Sequence, residues 1–344
     1  DVAFLVALVA DGVEHTVEDV RLRFTGDAPL VAGGLVTLAS GPGWVPEAPL
    51  AYKRLRVAER VLDFIDGLRA PGDTVLGTLA RFDAAPLPAA ELIIPDRTVI
   101  DEVARALVRP DHLLEVIGAP GVGRKAVVGA AARALGSPVI IVDMREVPVA
   151  IDALNAALAP LVREARLQRG VLILDGLDHY GDGEGQGFIV PHLTALLRGT
   201  TVPVAVVCER SVEWLARSGR VILRFLVPFP APDAQRKLWV RHLPAQLRLG
   251  PDCELDTIVK RYSASCAAIG EAAVELGRLD YVHQRGGVVT EDHVVEVIRS
   301  RLAHRLGSLA TVVRTTLEWP DVILPDEVLA PVFEFLNYAA HSVQ

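Results

Sequence analysis

Lysine is the first scarcity: of 35 basic residues, only Lys53, Lys125, Lys237 and Lys260 are lysines. Such a bias lets arginine stand wherever lysine is not chemically required, and every basic position has to be read with it in mind. Methionine is scarcer, with Met144 alone, so the chain opens without an initiator and is expected to be a piece of something longer. Cys208, Cys253 and Cys266 are the three cysteines. They have no metal-ligand spacing and cannot all pair with one another, which disfavours a zinc site or a disulfide scaffold and suits buried thiols in a reducing cytoplasm. An excess of basic charge is also missing. A net charge of −8 and a pI near 5.6 argue against a dedicated nucleic-acid binder, which shows a basic stripe. Long apolar runs are absent as well. The opening "DVAFLVALVA" has about half the length a membrane span needs, and no basic segment precedes it as in a signal peptide. A buried first helix is the expectation, with no membrane partner.

What the chain does have is length and apolar content: 344 residues, 51% hydrophobic, with a mean hydropathy of +0.34, enough for two or three domains with substantial cores. Residues 1–88 alternate short helical patterns with turns. There "GLVTLASGPGWVPEAPLAYKRLRV" reads as strand, loop and strand ahead of the helix "AERVLDFIDGL", which suits a small winged-helix-like α+β module. A boundary is expected at "DAAPLPAAE". Beyond residue 112 the apolar runs "LLEVIG", "SPVIIVD", "GVLILDGLD", "VPVAVVCE" and "RVILRFLV" alternate with amphipathic helices, the pattern of a parallel sheet covered on both faces. After "FPAP", residues 233–305 read as helices only.

The stretch "VIGAPGVGRKAVVGAAARAL", residues 116–135, joins the first of these runs to a helix through a glycine-rich turn. In the pattern G-x-x-x-x-G-K-[ST], backbone N–H groups and the helix N-terminus cradle phosphates, the lysine reaches the terminal phosphates, and the hydroxyl holds Mg²⁺. Here Gly118, Ala119, Pro120, Gly121, Val122 and Gly123 supply the turn. Arg124 stands at the lysine position, Lys125 at the hydroxyl position, and Ala126 follows. The Lys125 ammonium can reach a phosphate, fill the space of the metal, or point to solvent. A second element is Asp175, at the end of "GVLILDGLD", where an aspartate supports Mg²⁺ and the next residue is usually a glutamate that polarises water. That next residue is Gly176, which has no group for proton transfer.

The third element, "LARSGRVILRFLVPFPAPDAQRKLWVRHL", carries R-x-G-R before an apolar strand, then proline and D-x-x-R opening a helix. With it, the chain resembles the AAA+ ATPases over residues 89–305, all the signals falling in the family's order. The resemblance implies a parallel P-loop AAA+ sheet covered by helices over residues 89–230, an all-α lid over 231–308, and Asp175 as the metal ligand. It places Arg217 and Arg220 toward a neighbouring subunit's γ-phosphate, where a guanidinium offsets transition-state charge. The polar sensor after the fourth strand falls at Cys208, Glu209 or Arg210, none of them the usual asparagine or threonine. In "AAIGEAAVELGRLDYV" the helix expected to approach nucleotide opens at Gly270, with Glu271 or Ala273 where some families carry an arginine. Glu184, in "GDGEGQG", reads as a loop residue.

An echo joins "ELIIPDRTVIDEVARAL" from Glu91 to "DVILPDEVLAPVFEFL" from Asp321, aligning Pro95 with Pro325 and Asp96 with Asp326. It suggests that residues 309–344 link to a second ATPase module. The arrangement is similar to that of bacterial two-module AAA+ proteins with an N-terminal winged-helix-like domain, some of which accompany contractile injection systems. The expectation is therefore a cytoplasmic ring, a hexamer by resemblance, with a protein partner on the N-terminal domain. ATP or ADP, with or without Mg²⁺, would be bound or sensed with little or no hydrolysis. Two alternatives stay open: a working ATPase using Lys125, with Asp178 or Glu209 for the missing glutamate, and a nucleotide-free scaffold.

Overall fold

The apolar opening does form a helix, α1 (Val2–Gly12). Val2 and Val6 on it are buried against Val20, Phe24 and Val36. Helix α2 (Val17–Leu22) begins at Thr16, whose hydroxyl accepts the Asp19 N–H while the Asp19 carboxylate accepts the Thr16 N–H. That reciprocal cap satisfies two of the donors a helix start leaves orphaned. A short helix α3 (Pro29–Ala32) leads into β1 (Val36–Ala39), which pairs antiparallel with β2 (Arg54–Val57), and α4 (Glu59–Ile65) follows. In the computed structural model, residues 2–12, 16–26, 28–39, 49–94, 97–109, 111–181, 188–279, 286–306 and 325–341 are described.

Beyond α5 (Asp73–Leu76) comes β3 (Ala80–Asp83), then α6 (Thr98–Leu107), β4 (His112–Ile117), α7 (Arg124–Ala134), β5 (Val139–Asp143), α8 (Ile151–Gln168), β6 (Val171–Asp175), α9 (Ile189–Gly199), β7 (Val204–Cys208) and β8 (Val221–Leu226). The five apolar runs are thus five strands, and they pair in parallel in the order β5-β6-β7-β4-β8. The sheet has a sixth member. β3 adds antiparallel to the free edge of β5, with Ala80 opposite Val142, so a segment assigned by sequence to the N-terminal module extends the sheet across the boundary expected at residue 88. Its four residues, "ARFD", are too short and too polar to stand out as an apolar run.

Every residue of β6 and β7 is buried, as expected for central parallel strands covered on both faces. Leu154, Leu158 and Leu161 of α8 and Leu193 and Leu197 of α9 pack with Leu172, Leu174, Val204 and Val206 of the sheet. Each such leucine contributes roughly 1.5–3 kcal/mol by leaving water.

The N-terminal segment and the sheet belong to one compact unit, Asp1–Leu92 with Asp96–Ala119 and Arg124–Val227. A second unit holds Ile93–Pro95, Pro120–Gly123 and Pro228–Gln344. It is built from α10 (Pro232–His242), α11 (Leu255–Arg261), α12 (Cys266–Leu276), α13 (Glu291–Leu306) and α14 (Asp326–His341). Leu238, Trp239, Ile258, Ile269, Leu276 and Val294 form its core. It is not helical throughout: β9 (Arg248–Leu249) and β10 (Val288–Val289) pair in parallel, two residues each and invisible to periodicity. No helix among the described residues is long and apolar enough to cross a membrane.

Candidate functional site

Strand connections leave β4 toward β5 on one side and β7 toward β8 on the other, so their neighbouring carboxyl ends form a topological switch point, where open α/β sheets bind ligands. The glycine loop starts there. Gly118, buried at the end of β4, donates its N–H to the Cys208 carbonyl at 3.2 Å. Gly121 (φ +77°) and Gly123 (φ +101°) both take left-handed backbone, which a side chain disfavours. α7 then begins at Arg124. Strand, glycine turn and helix N-terminus follow one another as the sequence predicts.

The side chains do something other than reach outward for phosphate. Arg124 folds back, Nη1 donating to the Gly118 carbonyl at 2.8 Å. Lys125 donates Nζ to Oδ2 of Asp175 at 2.6 Å. This pair joins a half-exposed ammonium (48%) to a buried carboxylate (7%), so Lys125 is ion-paired across to β6 and does not simply point to solvent. Ala126 adds no polar group.

A second cation, unforeseen in the sequence, faces the same carboxylate. Asp143 and Asp175 end β5 and β6 as direct register partners, and Arg145 reaches across both. Its Nε and Nη2 bind Asp143 Oδ1 and Oδ2 at 2.7 and 2.8 Å, and Nη2 lies 3.5 Å from Asp175 Oδ2. The hydrogen bond from Arg145 holds the Asp143 carboxyl below the usual carboxylate range, and the same bond raises the Arg145 guanidinium. Arg145 also covers Gly176. A Cβ built at 176 would meet Arg145 Cγ and Nε at 3.3 Å, and Gly176 has φ +86°. A side chain at 176 is therefore disfavoured by backbone conformation and crowded by a neighbouring side chain.

The Mg²⁺ that the resemblance implies does not fit these residues. A hard divalent ion needs oxygen ligands at about 2.0–2.1 Å in octahedral array, whereas an ammonium already occupies the inner position on Asp175 and the hydroxyl ligand is lacking. No group of three or more metal-ligating side chains occurs among the described residues.

The remaining candidates fall elsewhere. Asp178 accepts the Glu209 and Arg210 N–H groups at 3.0 and 3.2 Å, so it caps the turn after β7. At the sensor position Cys208 is buried (1%), and burial foremost, then the nearby Glu115 carboxylate, pushes its thiol up to about 12. Glu115 also escaped the sequence reading. It lies within β4 with no exposure, bound to Arg224 Nε at 2.6 Å, Ser211 Oγ at 3.1 Å and the Val212 N–H.

The helical unit departs from expectation too. α12 opens at Cys266 with Ser265 as its cap, so Gly270 lies inside the helix. The polar "SAS" segment marks the start, because a serine oxygen can accept an orphan N–H. That start is taken by the loop tip: Ala267 donates its N–H to the Gly121 carbonyl at 2.9 Å, and the Cys266 thiol lies 3.5 Å from the Val122 carbonyl. Glu271 is paired with Arg301 at 2.6 Å, and Ala273 is buried.

Arg220 is turned inward, Nη2 donating to the His112 carbonyl at 2.5 Å and Nη1 to that of Leu197 at 3.3 Å. Two carbonyls of its own unit thus hold the guanidinium that the resemblance turns toward a neighbour. The Arg217 side chain makes no ion pair among the described residues. It lines a 300 Å³ cleft with Asp178, Arg210 and Trp214. Glu184, residues 309–324 and the Pro95–Asp96 half of the echo lie outside the described residues. Of the later half, Pro325 and Asp326 lead into α14. Comparison with protein-family models and with curated proteins returned no match.

Proposed function

We propose that the chain is a degenerate AAA+ module of a ring-forming ATPase that remodels or assembles protein complexes, binding or sensing nucleotide without hydrolysing it. The observation that carries this reading is the ion pair of Lys125 with Asp175, because the buried carboxylate that the resemblance assigns to Mg²⁺ is neutralised by the chain itself. Hydrolysis would further need a group to orient water, and Gly176, crowded by Arg145, supplies none. A general base contributes about 10²–10⁴-fold, so turnover of ATP by the purified chain should stay at background. A rate typical of P-loop enzymes, abolished by Asp175→Ala, would overturn the reading.

Backbone amides of the loop and the first turn of α7 remain as an anion cradle, which supports residual binding of ATP or ADP. The contact of Arg124 with the Gly118 carbonyl favours a second reading, a nucleotide-free scaffold whose cradle its own side chain closes. Calorimetric titration with ADP and ATP separates the two, since only the first predicts heat of binding. Ring assembly calls for a heterologous, head-to-tail interface. With Arg220 held inside its own unit, Arg217 is the arginine to test: Arg217→Ala should leave the melting temperature unchanged and weaken assembly in sedimentation. Unchanged assembly would remove its trans role.

A further inference from the structure

We infer that Lys125 and Arg145 together replace the divalent metal ion of a phosphate site, so that the glycine loop takes a polyphosphate, such as that of a nucleoside triphosphate, without metal. This statement rests on the nucleotide-binding reading above, and its first half is tested separately by metal binding. Two unit positive charges converge on one atom, Asp175 Oδ2, at 2.6 Å from Lys125 Nζ and 3.5 Å from Arg145 Nη2. Their summed charge equals that of Mg²⁺. Neither is loosely placed. Arg145 is fixed by two hydrogen bonds to Asp143, the register partner of Asp175, and Lys125 by its place in the first turn of α7.

Both side chains stay about half exposed, at 48% and 43%, so each keeps a face for an arriving anion. An ammonium has three donors and Asp175 uses one; a guanidinium has five. A metal ion arrives with its ligand and leaves with it, whereas these cations are tethered, so affinity for phosphate is uncoupled from the concentration of Mg²⁺. Arg145 is thereby a binding residue as well as the group that closes position 176.

The test uses the full chain, wild type and Lys125→Ala/Arg145→Ala, with Lys125→Gln/Arg145→Gln as a second pair that keeps side-chain volume should the alanine pair fail to fold. Mn²⁺ alone is titrated and followed by its electron paramagnetic resonance signal. Wild type should show no site, and the double variant should bind Mn²⁺ roughly tenfold or more tighter, a gain lost again on adding Asp175→Asn. A folded double variant with no gain in Mn²⁺ binding overturns the inference.

A second arm titrates ATP by calorimetry in EDTA and in Mg²⁺. Wild type should bind equally in both. The double variant, having lost charge-assisted hydrogen bonds, should weaken about tenfold or more in EDTA and recover with Mg²⁺. Wild-type binding that requires Mg²⁺ overturns the inference. A wild type that binds no ATP, beside a double variant that gains Mn²⁺, retains the metal replacement and removes the nucleotide reading.

Discussion

Gly176 shows how one residue can be fixed by backbone and by neighbour at once. At φ +86° an L side chain is strained before it touches anything, which costs about 1–2 kcal/mol, and Arg145 then limits the room. Gly176→Ala should therefore lose roughly that amount in urea denaturation; an unchanged midpoint would mean that Arg145 and the turn yield freely. Asp143 supplies a pH test. Its carboxyl is held below the usual carboxylate range by the bond from Arg145, so its stabilising effect is present above the unfolded pKa and is lost as pH falls through the lower folded value. Acid unfolding followed from pH 6 downward, below about pH 4, should show a steeper loss for wild type than for Asp143→Asn. Parallel curves would show that the pair contributes nothing.

Between elements, the buried Glu115 of β4 meets Arg224, its register partner on the edge strand β8. The two partners are unequal, because Arg224 is 53% exposed and Glu115 is not exposed at all. Removing the arginine strands a buried charge; removing the glutamate leaves a cation that water can solvate. Arg224→Ala should thus cost about 3 kcal/mol, measured by denaturant unfolding, and Arg224→Ala/Glu115→Gln should recover part of it. A loss below about 1 kcal/mol would show that Ser211 and the Val212 N–H satisfy the carboxylate without help.

The same scale shows what could be read from sequence. Central strands were legible, since β4 to β7 are largely buried on both faces and are therefore mostly apolar, Glu115 within β4 being an exception. β3, β9 and β10 were not, being two to four residues long and placed by neighbours distant in the chain. The glycine loop was legible because left-handed backbone demands glycine. Arg145 was not, since it acts on Asp175 through strand register across thirty positions of sequence. A usable signal existed: "VIIVD" and "VLILD" end in the same residue, and adjacent parallel strands bring such ends together.

For the first unit taken whole, Arg60 and Glu164 form the pair that fastens the N-terminal segment to the sheet's helices. Both are buried, at 6% and 0%, and joined twice at 2.8 Å. Arg60 also donates to the Leu68 and Arg69 carbonyls. Glu164→Ala leaves a buried guanidinium without its counter-charge, at a cost of about 3 kcal/mol. Limited proteolysis should then cut within the first 90 or so residues faster than in the parent. Equal cleavage rates would mean that the segment's other contacts, the β3–β5 pairing among them, hold it without this ion pair.

The guanidinium over Gly176 sets an order on change. A glutamate introduced at 176 while Arg145 remains meets a side chain already seated, and the same arginine gives any new carboxylate there a partner that competes with water. Arg145 has to leave first, yet its departure leaves Lys125 alone to offset two carboxylates that strand register holds side by side. Under the function proposed above, a carboxylate working at 176 would therefore take at least two coordinated substitutions.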